Sequence, residues 1–250
     1  MSMRDEGIRR LTGWAAAGMV VFSLAQFPLY LLQDASVGIY DGAAGAAEAL
    51  RIHDAIFTRV LLDLCLYAAG MVFAAGLGHL IRRADPDYGW ASSLVVSSMA
   101  VWLGVTLVAN GFEGGLALDA QAPVPDPSVN RALTLGYLLI YNSSIAFAVT
   151  ALFVGAAGYA AAATGVLPSW TRWVAYAAVA LCVAAVPSMY GGPADPSGFY
   201  NAAGWGPIIA ANFPPLMWIV LPAVLLLRRR ARQPSRRPSS EGRPGRNMPS

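Results

Sequence analysis

The sequence has no lysine, two histidines, two cysteines and few charges: 12% of its 250 residues are charged, about half the share usual in a soluble domain. The missing lysine excludes the Gly-rich phosphate loop, in which Lys reaches the β- and γ-phosphates. No G-x-S-x-G, H-E-x-x-H or c-type haem attachment motif is present either. His53 and His79 stand near opposite surfaces, whereas a zinc site needs three or four N, S or O ligands, so we expect no metal. Glu48, Asp54, Asp63 and Glu113 make only an unspecific cation set. Cys65 and Cys182 both fall inside apolar runs and are expected as buried free thiols rather than a disulfide. An inverted repeat of the transporter kind is also missing.

What the chain has instead is hydrophobic residues, 56% of the total. At about 20 apolar residues per crossing, its runs define an all-α polytopic membrane protein, a six-helix transmembrane bundle. The expected spans are 11–32, 55–81, 90–113, 132–164, 169–187 and 206–227, within one transmembrane domain over residues 1–227. The first run is too long for a leader's apolar region and has no small-residue cleavage site, so it is expected to be a span. Between the first two spans, Tyr40-Asp41-Gly42 reads as a turn. Residues 43–53 read as a short interfacial helix with Glu48 and Arg51 three apart. Gln121-Ala-Pro-Val-Pro-Asp-Pro is a connector that cannot be helix. The fourth run is longer than a bilayer needs, and Pro214-Pro215 should kink the sixth.

All 17 basic residues are Arg, and eight of them lie in the last 23 positions. The rest of the chain is acidic. Arg4, Arg9, Arg10, Arg82, Arg83, Arg172 and the tail fall on one side of the bundle; only Arg51, Arg59 and Arg131 fall on the other. By the positive-inside rule both termini are cytoplasmic, and the protein is expected to be multi-pass in the inner (plasma) membrane. Residues 228–250 read as a disordered Arg-rich tail enforcing that topology, with anionic lipid as an alternative contact and no nucleic-acid partner expected.

Polar residues inside the apolar runs carry the functional signal. Thr106, Asn110 and Glu113 are spaced four and three apart and form one stripe on a helix. Arg59 and Asp63 share a face of the second span, where they either pair with each other or leave Arg59 to snorkel. Gln26, Tyr141, Asn142 and Asn212 lie at matching depths of the first, fourth and sixth spans. Each would be costly facing lipid alone, so we expect them to turn toward one cavity near the outer leaflet.

The Asn110-Gly-Phe-Glu113-Gly stretch, the link Leu167-Pro168-Ser169-Trp170 and the interrupted last span Asn212-Phe-Pro-Pro, taken as an ordered set over residues 9–227, resemble a bacterial family of six-helix integral membrane proteins defined by a domain of unknown function. In that family's pattern an Arg stands three residues before the glutamate, where this chain has Asn110. Arg59 or Arg131 must then partner Glu113, or the carboxyl keeps its proton. The resemblance implies fold and location, not activity.

These readings point to a lipophilic small molecule held among membrane lipids in a polar cavity. In an enzymatic form, a cofactor-independent isomerase or cyclase, Glu113 or Asp63 is the acid or base. Arg59, Asn110, Tyr141, Asn142, Asn212 and Gln26 then bind the substrate. The competing class is a non-enzymatic scaffold, immunity or transport-accessory protein whose polar groups hold helices together; a transporter is third.

Overall fold

The computed structural model describes residues 3–34, 36–141 and 144–228; the expected Arg-rich tail after Arg228 and Asn142 lie outside the described residues. The elements are α1 (Met3–Tyr30), α2 (Gly42–Arg51), α3 (His53–Ala84), α4 (Gly89–Ala120), α5 (Pro127–Tyr141), α6 (Ser144–Ala163), α7 (Thr171–Ala185) and α8 (Trp205–Arg228). No strand occurs among the described residues. Six helical segments are long and apolar enough to cross a membrane, the architecture of a multi-pass membrane protein. The fourth is carried by α5 and α6 together, and the expected interfacial helix is α2.

The long helices close a ring in chain order. α1 packs on α3, α3 on α4, α4 on α6, α6 on α7, α7 on α8, and α8 returns to α1. Small residues allow the close approaches: a Cβ on Gly158 of α6 would strike the Cβ of Ala175 on α7, and one on Gly76 of α3 would strike the Thr12 hydroxyl. Ser92 of α4 donates to the Gly78 carbonyl of α3 at 2.8 Å. The ring is closed by Arg9, which donates to the Leu226 carbonyl at 2.6 Å, a cation meeting orphan carbonyls at a helix C-terminus. The hydrophobic core of that half is built around Phe73, Phe153 and Trp218, whose rings meet edge to face at 6.3 and 6.4 Å.

At the opposite end the packing changes. Asp41 caps α2, accepting from Ala44 N at 3.0 Å, and α2 lies against α4 and α5. Read from sequence as the end of the third span, Glu113 is instead about two turns inside α4, which runs on to Ala120. The reason is tertiary: Ala117 and Ala120 bury against Ala49 and Ile52 beside Ile56, so Gly114-Gly115 does not end the helix. The Pro pair likewise stays within α8.

A candidate ligand cavity

Arg59 and Asp63 sit one turn apart on α3, each 1% exposed, yet they do not pair with each other. Arg59 Nη2 donates to Glu113 Oε1 of α4, which is 3% exposed, in a buried interhelical ion pair. The guanidinium also lies over the Tyr30 ring at 4.5 Å. With its amide oxygen turned inward, Gln33 accepts from Arg59 Nη1 at 2.9 Å and Nη2 at 3.2 Å. Arg59 Nε has no partner. Of the two cations the sequence offers Glu113, Arg59 is the one used, and the pair joins α3 to α4 where the resembled family pattern would place it within one helix.

Asp63 is answered by neutral groups. Gln26 Nε2 of α1 donates to it at 2.6 Å, and Asn110 and Tyr141 stand beside it. Asn110 Nδ2 donates to the Tyr67 hydroxyl at 2.9 Å, leaving Asn110 Oδ1 unpartnered. Tyr67 in turn meets Trp102 edge on, and Trp102 Nε1 donates to Thr150 of α6 at 3.1 Å. Thr106 turns its hydroxyl back on its own helix, to the Trp102 carbonyl at 2.8 Å.

These helices enclose a cavity of about 660 Å³, within the range of small-molecule sites. Gln26, Arg59, Glu113, Tyr141 and Asn212 line it; Asp63 and Asn110 stand behind that wall. Asn212 spends its Nδ2 on the Ile208 carbonyl of its own helix, at 2.8 Å. A smaller chamber of about 100 Å³ shares Ser23, Tyr141, Asn212 and Leu216 with the first and is otherwise mostly apolar, with Thr106 and Thr150 in its wall. Among the described residues no three His, Cys, Asp or Glu side chains converge.

Several contributors escaped the sequence reading. Tyr30 follows Gln26 by four and Tyr67 follows Asp63 by four, so helical spacing alone placed each on a face already marked as polar. Gln33 and Asn130 carried no such signal in the reading, Gln33 lying beyond α1 and Asn130 before the expected start of the fourth span.

Residues 33, 34 and 36–41, with α2, form the rim of the cavity. Arg51 binds Glu48 at 2.6 Å and the Leu32 carbonyl at 2.7 Å, while Glu48 accepts from Asp34 N at 2.8 Å. The Arg51 guanidinium beside Glu48 holds its carboxyl below the usual carboxylate range. A lowered folded value means the contribution is present above about pH 4.3, the ordinary Glu value, and is lost as pH falls through the lowered one. Glu48→Gln should therefore reduce the exchange protection of the 36–41 amides two- to fivefold near neutral pH, as expected for about 0.5–1 kcal/mol from a pair whose arginine is exposed. The wild type should lose that protection only in acid. Equal protection in the two proteins at pH 7 would show that the rim is held by other contacts.

Compared with known proteins, the chain matches no family model, no curated protein and no solved structure. The cavity is therefore interpreted from its own residues.

Proposed function

We propose that this is a multi-pass inner-membrane protein, with both termini cytoplasmic, that binds a lipophilic small molecule in the 660 Å³ cavity. The observation that carries the reading is the conjunction of that volume with an unpartnered Arg59 nitrogen and the tyrosines Tyr30, Tyr137 and Tyr141 in the lining. Tyr137 and Tyr141 stack at 5.6 Å, offering an aromatic face beside polar hydroxyls. Arginine placement supports the reading that this end faces the outer leaflet. α5 and α8 both line the cavity but are not among the closely packed helix pairs of the described residues, which supports entry of a molecule dissolved in lipid between them.

The geometry favours binding over catalysis. Glu113 is committed to Arg59, and Asp63 lies behind Gln26 and Tyr141. In an isomerase or cyclase of this design, the proton would pass between ligand and Asp63 through the Tyr141 hydroxyl. The scaffold alternative draws on one observation, the Arg59–Glu113 pair, which joins two helices without any ligand.

Native mass spectrometry of the detergent-purified protein separates the two. The wild type should retain a lipophilic molecule that Asn212→Trp, which fills the junction of the two chambers from a side chain bonded only to its own helix, excludes at unchanged thermal stability. A wild type that carries nothing and takes up no added lipophile sinks the binding reading in favour of the scaffold.

A further inference from the structure

Within this cavity lies a second polar station, separate from the Arg59 cluster. Asn130, in the first turn of α5, is 1% exposed, lines the cavity, and has neither its amide oxygen nor its amide nitrogen hydrogen-bonded. A buried amide left with no partner costs stability, so native structures seldom keep one without a ligand, water or functional reason. α2 packs closely against it without supplying a hydrogen bond: a Cβ on Gly45 would stand 2.8 Å from Asn130 Oδ1. Asn130, Thr134, Tyr137 and Tyr141 follow at intervals of four, three and four and all line the cavity, so one face of α5 carries polar groups along its length. At 1.5 Å per residue, Asn130 lies about 10 Å along the axis from Tyr137.

The two stations also limit charge. Arg59 is the only cation among the lining residues and Glu113 already neutralises it, while Asp34, Asp41 and Glu48 line the rim. A phosphate or carboxylate headgroup would meet no free cation there. Asn130 offers two donors and an acceptor to a neutral group. Resting on the binding function proposed above, we infer that the ligand is an uncharged amphiphile with two hydrogen-bonding groups about 10 Å apart, one held by Asn130 and the other at Tyr137 and the Arg59–Glu113 pair.

The test uses three detergent-compatible probes: 9-hydroxyoctadecanamide, whose amide and hydroxyl have about this spacing, octadecanamide, with one polar group, and anionic octadecanoate. Affinities are measured on the full-length protein, delipidated, in its wild-type form and as Asn130→Leu and Gly45→Ala. The wild type should bind the two-headed amide about tenfold more tightly than octadecanamide, the value of one buried hydrogen bond, and octadecanoate weakest. Asn130→Leu should abolish the preference and raise the ligand-free melting temperature, since it replaces an unpartnered amide with an apolar group of similar size. Gly45→Ala, which crowds the amide without removing it, should also reduce the preference. Equal binding of the two amides by the wild type, tightest binding of octadecanoate, or a preference that survives Asn130→Leu would each overturn the two-headed ligand while leaving a binding cavity intact. A lower melting temperature for Asn130→Leu would make Asn130 structural and overturn it too. Binding of none of the three while a co-purified molecule is present would overturn this ligand class alone. An empty purified protein that also binds none removes the underlying binding function.

Discussion

Arg59→Met should lower stability by about 3–5 kcal/mol, and Glu113→Gln by a comparable amount, because each leaves a buried partner uncompensated. The double replacement Arg59→Met with Glu113→Leu should recover most of that loss. Two charges are removed together, and apolar groups of similar volume suit a wall that already includes Ile56 and Leu116. Thermal denaturation in one detergent, run as a four-member cycle, measures this directly. A coupling energy below about 1 kcal/mol would mean that the pair is solvated in the folded protein and that the cavity is wetter than its lining suggests. The cycle also changes how Glu113→Gln should be interpreted. Loss of ligand in that single variant follows from an unpaired Arg59 as readily as from a missing contact. A single substitution at Glu113 therefore does not separate a binding site from structural glue.

The legibility of this chain divides along a physical line. The six apolar segments were readable because crossing length is a property of composition over a window, independent of what packs where. The polar faces were readable too, since Thr106, Asn110 and Glu113, or Arg59 and Asp63, are brought together by helical periodicity alone. Pairings between helices were not. Whether Arg59 turns to Asp63 or to Glu113 depends on the rotation of α3 against α4, which small contacts such as Ser92 on Gly78 set at a distance from the pair. For the same reason Asp63 and Asn110, as polar as Gln26, lie behind the cavity wall while Gln26 lines it. Helix ends followed burial rather than propensity: α4 passes through Gly114-Gly115 because α2 covers its continuation. Asn130 gave no signal as a letter. Its meaning comes from an absence of partners that only three-dimensional packing reveals.

Asp63→Asn should leave the protein at least as stable as wild type, because it removes a buried charge that only neutral groups answer, and burying a charge costs more than burying a hydrogen-bonded neutral group. The carboxyl is 1% exposed, has no cation in salt-bridge range among the described residues, and accepts from Gln26. An asparagine of the same shape still accepts from Gln26. A group that destabilises where it stands and is nevertheless present is one kept for what it does. Its role would be to orient the Tyr141 hydroxyl, which lines both chambers, and in an enzyme to exchange a proton through it. The substitution should accordingly weaken retention of the co-purified ligand while the melting temperature holds or rises. In a catalytic form it should cost a factor of roughly 10²–10⁴ in turnover. A sharp fall in melting temperature would place Asp63 with Arg59 and Glu113 as a fastener between α1, α3 and α4. The polar end of the bundle would then be a joint, and the cavity a by-product of it.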